Sequence, residues 1–347
     1  MTLERLNGSY DESYRLVPAF CDMVEATNLG YVTNYTFGSF SEDKCFESTM
    51  IAFAAPIQGW KDAGRPIIDF DAFHLTGKHG GCLMAANGLD GQNGIVTLAI
   101  KVVRNERGEN WHLFMKELKP LIEDHPVGKL TFISDRQKGL QEALDEVFPE
   151  HFKRYCLRHM FKNLKTHFKG SKLHYLVYNA AKCYKERHWK ANMDDLIKFF
   201  SAVAAYMMKK KPEQWSRAFF DPSACCEHLN NNFSESFNNM IRHMRDKPIC
   251  ALEMMVNGAI IDKLYEETSK TNVVFQVDSV EKTCSCAQWG GRGSRGGRGS
   301  RGGRPAGRSV QHTLSHTISG AVGLSQTLSK TFIVPKPKTK KMFMVLV

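Results

Sequence analysis

Three segments in the first third of the chain alternate apolar and polar residues or run almost wholly apolar, as β-strands do. They cover residues 66–75, 82–88 and 95–103. Glycine-rich stretches at 77–81 and 90–94 lie between them and supply the residue types that tight turns need. We therefore predict an antiparallel meander of three strands.

The spacing of the apolar residues then changes along the chain. Apolar residues recur every three to four positions over 111–122 and again over 140–148, which predicts two helices. Residues 129–135 and 152–156 are typical of short strands, and nearly everything from about 158 to 265 has a helical pattern. The order βββ-α-β-α-β followed by helices is the order of the ribonuclease-H-like α/β fold, which we predict for this chain.

Changes in composition divide the chain into four parts. Residues 1–64 are polar and weakly patterned, and we interpret them as an N-terminal flanking segment. The predicted domain covers 65–266, with a helical insertion at about 160–228 before its last helix. Residues 267–289 form a short cysteine-containing segment. Residues 290–347 are Gly-, Ser- and Thr-rich, and we expect a disordered tail because such a composition cannot repay its ordering entropy.

The charge is distributed unevenly. The chain has 47 Lys and Arg against 36 Asp and Glu, a net charge of +11. Residues 290–347 hold six Arg and five Lys and no acid, so these 11 charges equal the whole excess. The body is therefore neutral, and only the tail is cationic.

Several classes of protein are excluded or disfavoured by these observations. No apolar run approaches the ~18–20 residues that span a bilayer, so we expect no membrane association. The N-terminus lacks the pattern of a secretory signal, and ten scattered cysteines do not suggest a disulfide scaffold. We expect an intracellular protein.

Three acidic residues have contexts suited to metal-dependent chemistry. Asp71 lies within the first predicted strand, Asp135 ends the fourth, and Glu235 lies in a later helical segment. Parallel pairing of the first and fourth strands would bring Asp71 and Asp135 side by side. Two Mg²⁺ or Mn²⁺ ions about 3.5–4 Å apart need such oxygen ligands for phosphoryl transfer. On pattern alone Asp69 and Asp90 compete for the first position, and an acid at a strand end is more often a turn or capping residue.

The residues around these acids form four ordered motifs that resemble the transposase domain of plant Mutator-like elements, the MULE or MuDR family. The motifs are Asp71-Ala-Phe-His-Leu-Thr-Gly-Lys-His-Gly-Gly, Ile133-Ser-Asp-Arg-Gln-Lys-Gly-Leu, Tyr155-Cys-Leu-Arg-His-Met-Phe-Lys-Asn and Asn231-Asn-Phe-Ser-Glu-Ser-Phe-Asn.

The resemblance runs from about residue 52 to 266. It implies a DDE nuclease that cuts element ends and joins them to target DNA, with Asp71, Asp135 and Glu235 as catalytic and metal-binding residues. Ala72 departs from the Gly usual after the first Asp, but the carboxylate is retained.

Two cysteine motifs raise the question of zinc. Cys156 and His159 have two-ligand spacing, and a tetrahedral site would need more ligands, such as Cys225, Cys226 or His228. We favour the alternative, a buried Cys beside a His that approaches the active site or DNA.

Cys284 and Cys286 resemble the first half of a SWIM zinc finger, but no cysteine follows them. We therefore expect a truncated finger whose zinc site is incomplete.

The Arg-Gly tract is suited to weak, salt-sensitive binding of RNA or single-stranded DNA, because arginine tracks phosphates and stacks on bases. A solubilising linker is the alternative. Residues 336–341 are compatible with nuclear import. The arginines of the tract are Arg292, Arg295, Arg298, Arg301 and Arg304, with Arg308 just beyond.

The sequence thus predicts a Mutator-type transposase core in the nucleus, in a truncated or degenerate copy that binds DNA and self-associates. A domesticated nuclear DNA-binding regulator without catalysis is the alternative. A third hypothesis is an Arg-Gly nucleic-acid binder whose folded part only scaffolds the tail.

Overall fold

A computed structural model describes residues 9–40, 43–135 and 137–271, together with 277–278 and 283–284. Within these ranges the chain forms a seven-stranded mixed sheet and a series of helices. None of the described helices is both long enough and apolar enough to cross a membrane.

The strands of the main sheet are β1 (Val32–Phe40), β2 (Asp43–Ala52), β3 (Arg65–His74), β4 (Cys82–Leu89), β5 (Ile95–Val103), β6 (Thr131–Ser134) and β7 (Phe152–Tyr155). The helices are α1 (Tyr10–Arg15), α2 (Val17–Thr27), α3 (Ala54–Ala63), α4 (Gly108–Ile122), α5 (Lys138–Val147), α6 (Leu157–His167), α7 (Leu173–Lys182), α8 (Glu186–Met208), α9 (Asn232–Ile241) and α10 (Ile249–Thr271). Short 3₁₀ turns cover Pro212–Gln214, Arg217–Phe219, Pro222–Ala224 and Arg242–Met244.

The sheet has the order β1-β2-β5-β4-β3-β6-β7. Strands β3, β6 and β7 are parallel neighbours, and the other pairs are antiparallel. The predicted meander of β3, β4 and β5 is confirmed, as is the predicted parallel pairing of β3 with the strand that ends at Asp135. The two helices predicted within 111–148 are α4 and α5, and they too are confirmed.

The first two strands were not predicted. They come from residues 1–64, interpreted above as a weakly patterned flanking segment, and β2 pairs with β5 to extend the sheet. β1 lies at the sheet edge, is rich in Thr, Ser and Asn, and has no fully buried side chain among those described. An edge strand of this kind leaves little hydrophobic periodicity in the sequence. The folded body therefore begins well before Pro66.

Each face of the sheet is covered by its own set of helices. Helices α3, α4 and α5 pack on one face, and α2, α9 and α10 pack on the other. Alternate residues of β4 enter the two cores: Met84 and Ala86 face α4, whereas Leu83 and Ala85 face the opposite side. Both faces are buried, which is why β4 is apolar except at Asn87.

Helices α6, α7 and α8 follow β7 and have a hydrophobic core of their own. Trp189 of α8 and the fully buried Trp215 anchor this core, with ring centroids 6.1 Å apart. The chain then returns to the main sheet at α9. The helical pattern predicted from about 158 is confirmed here, and the extra helices lie between the last strand and α9.

The segment after α10 is described only at two short strands, β8 (Val277–Asp278) and β9 (Thr283–Cys284), which pair antiparallel. Cys284 is the last residue of β9, and Cys286 lies outside the described residues, as does the predicted tail at 290–347 with its arginines.

Two glycines let the N-termini of α4 and α5 approach each other. A Cβ atom on Gly139 would lie 2.6 Å from Cα of Gly108, closer than carbon atoms can pack. We expect Gly139→Ala to lower the free energy of unfolding by about 1–3 kcal/mol in urea denaturation. Gly59, in the middle of α3, has open space around it, so Gly59→Ala should stabilise by about 0.5–1 kcal/mol. Equal effects of the two substitutions would contradict this packing.

Candidate active site

Two carboxylates lie on neighbouring parallel strands, Asp71 within β3 and Asp135 directly after β6. The β3–β6 register pairs Asp69 with Ile133 and Phe70 with Ser134, so Asp71 and Asp135 come next in line. Ligands of open α/β sheets bind at the carboxyl ends of parallel strands, and Asp135 directly follows the carboxyl end of β6. The strand pairing therefore brings these two predicted site residues together.

The backbone around Asp135 is held in place by helix α5. Asp135 Oδ1 accepts a hydrogen bond from the backbone N–H of Gln137 at 3.0 Å. The Gln141 side-chain amide donates to the Asp135 carbonyl at 2.9 Å and to Ser134 Oγ at 2.7 Å. These bonds fix the carboxylate where the strand passes into the helix.

A third acid, Asp69, lies on the same face of β3 and is fully buried. The Ser234 hydroxyl of α9 donates to its Oδ2, while its Oδ1 has no hydrogen-bond partner among the described residues. Sequence reasoning treated Asp69 as a rival for the first catalytic position. Its contact with Ser234 instead ties α9 to the sheet.

Burial and repulsion from neighbouring carboxylates make Asp69 and Asp71 hard to ionise. Burial raises the pKa of Asp71 to about 7, and the charges of Asp135 and Glu106 add to the rise. The Ala72 N–H, which donates to Asp71 Oδ1 at 2.9 Å, opposes it. Burial also raises the pKa of Asp69 well above its usual range, with repulsion from Asp71 and Asp135 as further causes. A bound cation would relieve this concentration of negative charge.

The third predicted catalytic residue, Glu235, lies on α9 near its N-terminus. The helix packs on the sheet through Phe237, whose ring centroid lies 5.8 Å from that of Phe73. Glu235 itself forms an ion pair with Arg158 of α6. Arg158 also donates to Asn232 Oδ1 at 2.9 Å, which holds it against the same helix.

The donor chemistry of Asp71 and Asp135 suits Mg²⁺ or Mn²⁺, since hard divalent cations prefer carboxylate oxygens. The unpartnered Oδ1 of Asp69 lies in the same neighbourhood. Across the described part of the chain, however, no three His, Cys, Asp or Glu side chains are arranged to hold a metal ion. Asp71 and Asp135 lie on neighbouring strands, whereas Glu235 is paired with Arg158; metal binding by the three acids stays a prediction.

A known family model matches the part of the chain that holds Asp71 and Asp135. Residues 67–163 match the family model of the MULE transposase domain. This match supports a Mutator-like transposase domain in that part of the chain. The match spans Asp71, Asp135, Cys156 and His159 and ends before Glu235. A search of curated proteins found no significant match to the chain.

In the transposase domain Cys156 and His159 lie beside the end of β6. The Cys156 backbone N–H donates to the Ser134 carbonyl at 2.8 Å, and its side chain is fully buried. Burial raises the pKa of the Cys156 thiol and lowers that of His159, while the charge of Asp135 opposes the effect on His159.

The backbone carbonyls of Cys225 and Cys226, which were considered as further zinc ligands, accept hydrogen bonds from two arginines. Arg154 donates to the Cys226 carbonyl at 2.6 Å, and Arg65 donates to the Cys225 carbonyl. Burial raises the pKa of the Cys226 thiol, so this sulfur stays protonated in the absence of a metal. Zinc binding by these residues or by Cys284 and Cys286 stays a prediction.

Three charged residues around Asp71, Asp135 and Glu235 were given no site role from the sequence. Glu106 precedes α4 and accepts a hydrogen bond from Trp111 Nε1 at 3.3 Å. Arg158 stands inside the Cys-x-x-His motif but was not singled out. Arg245 acts on Asp71 by its charge. None belongs to a periodic pattern, so only the tertiary fold reveals them.

Proposed function

We propose that this chain is a DNA transposase core that cuts and transfers DNA strands at Asp71 and Asp135. The observation that carries the proposal is the meeting of these two carboxylates at neighbouring parallel strands within the MULE match. The domain's natural substrate would be DNA, and we place its action in the nucleus on that basis. Self-association to bring two DNA ends together is part of the same proposal.

The sheet supports a ribonuclease-H-like fold for this core. Counting from β3, the strands run in the order β5-β4-β3-β6-β7, with an antiparallel meander on one side and parallel strands on the other. Strands β1 and β2 extend the meander side. We interpret α6–α8 as a helical insertion before α9, which carries Glu235.

The chain's own residues divide the chemistry between them. Asp71 and Asp135 would hold Mg²⁺ or Mn²⁺, and such ions stabilise the charge of the transferring phosphoryl group and activate an oxygen nucleophile. Asp135 is oriented by Gln137 and Gln141. Burial raises the pKa of Asp71 to about 7 without a cation, so a bound cation would displace the proton that Asp71 carries. Glu235 would join them after release from Arg158.

A domesticated DNA-binding protein without catalysis is the second candidate. The ion pair between Glu235 and Arg158 favours it, because it leaves two rather than three carboxylates at the centre. The two candidates predict the same DNA binding and differ only in cleavage.

A strand-nicking assay separates them. The full chain is incubated with terminal-repeat DNA in Mn²⁺, in Mg²⁺ and in EDTA, and nicked and joined products are resolved on denaturing gels. The transposase proposal predicts products with either metal and none in EDTA. DNA binding without products under every condition would support the non-catalytic alternative.

A further inference from the structure

The chain leaving α9 turns back to the end of β3 through two arginines. A 3₁₀ turn at Arg242–Met244 leads to Arg245. The Arg245 carbonyl accepts a hydrogen bond from the backbone N–H of Thr76 at 3.0 Å. This bond fixes the arginine segment against the loop that follows β3, close to Asp71.

The charge of Arg245 is not matched by a carboxylate of its own. Its guanidinium lies 5.4 Å from the centroid of the Phe73 ring, and its Nε is buried without a hydrogen-bond partner in the described ranges. Burial and the nearby charge of Arg242 both lower the pKa of Arg245, whereas Asp71 opposes them. Within those ranges neither arginine is among the ion pairs formed.

The repulsion between Arg242 and Arg245 raises the free energy of the unliganded protein. Arg242 is exposed and is oriented by a hydrogen bond to Asn239 Oδ1 at 2.5 Å. Its other side-chain donors make no hydrogen bond to the described residues and can reach a ligand. A planar guanidinium with several donors is matched to the oxygens of a phosphate group.

We propose that Arg242 and Arg245 bind backbone phosphates of duplex DNA beside the centre formed by Asp71 and Asp135. The carboxylates that would bind the cation and the arginines that would bind the phosphates then lie next to each other near the end of β3. This inference rests on the proposed function, since it places the DNA that the transposase core would cut. It assigns part of the DNA binding to the electrically neutral part of the chain before residue 290, and not to the cationic tail alone.

Salt-dependent binding tests the assignment in the full chain. All eleven tail charges are changed to Gln so that the tail does not mask the body: Arg292, Arg295, Arg298, Arg301, Arg304, Arg308, Lys330, Lys336, Lys338, Lys340 and Lys341. Affinity for a fluorescent duplex of random sequence is measured by anisotropy over a range of NaCl concentrations.

Arg242→Gln with Arg245→Gln should weaken binding about tenfold or more and reduce the slope of log K against log salt by roughly 1–2. Arg242→Lys with Arg245→Lys should keep the slope, because the charges remain. Arg187→Gln with Lys198→Gln, two exposed charges on α8, should change neither quantity.

The inference is overturned if the paired Gln variant keeps the slope of the parent, or if the tail-neutralised chain fails to bind duplex DNA. Arg242→Gln alone, an exposed substitution, guards against a folding defect and should show about half the change in slope. Unchanged slopes together with metal-dependent nicking would refute the arginine assignment and leave the proposed function intact.

Discussion

Asp71→Asn is expected to abolish metal-dependent nicking, by about 10³-fold or more, and at the same time to stabilise the metal-free protein. The carboxylate is lost as a ligand, so the reaction fails. The same substitution removes a group whose ionised form is disfavoured by burial and by Asp135. A residue that served only the fold would give the opposite change in stability.

The pH dependence of stability shows why Asp71→Asn should raise the free energy of unfolding. The pKa of Asp71 is about 7 in the folded chain and near 3.8 when unperturbed, so the folded state holds the proton more tightly. The loss of folding stability caused by Asp71 is absent below about pH 4 and grows as the pH rises towards 7. Above that pH it levels off, at as much as about 4 kcal/mol. Asp71→Asn should remove this pH-dependent loss of stability, which urea denaturation in the presence of EDTA measures.

A matched control separates this effect from simple removal of negative charge. Asp145 is an exposed carboxylate paired with Lys153, so Asp145→Asn should leave both nicking and the pH dependence nearly unchanged. A destabilised Asp71→Asn variant that still nicks DNA would show that Asp71 is structural.

Glu253→Gln is expected to have the next largest effect, and it concerns stability alone. Glu253 of α10 is fully buried between helices and sheet, and neither carboxyl oxygen has a hydrogen-bond partner among the described residues. Burial raises its pKa to about 8. The folded protein therefore keeps this group protonated at neutral pH, whereas the unfolded chain ionises it above about pH 4.5.

The parent chain should consequently lose stability through this group between about pH 4.5 and pH 8, by several kcal/mol in total. Glu253→Gln should be the more stable protein at pH 8, with the difference shrinking to about 1 kcal/mol or less near pH 4.5. Thermal or urea unfolding across this range measures it. Parallel pH profiles for the two proteins would contradict the burial of an unpaired carboxyl group.

Much of the central fold could be predicted because its signals are local. Turn residues at 77–81 and 90–94 separate the strands of the meander, and the acid at Asp135 marks the end of β6. Parallel pairing then brought Asp71 and Asp135 together as expected. β1 and β2 were missed because an exposed edge hairpin carries little hydrophobic pattern.

The rest of the site depends on contacts between distant segments. Sequence placed Glu235 on a late helix but gave no sign that Arg158 would pair with it. Nor does sequence show that Ser234 docks on Asp69, or that Arg245 returns to the end of β3. Such contacts arise only when α6, α9 and the strands pack together.

We propose above all that Asp71 and Asp135 together form a divalent-cation site. Electron paramagnetic resonance of Mn²⁺ added to the full chain measures this binding, because free and bound ions give distinct spectra. We predict saturable binding that is lost in Asp71→Asn and in Asp135→Asn and kept in Asp145→Asn. Equal Mn²⁺ binding by the parent chain and all three variants would contradict the claim.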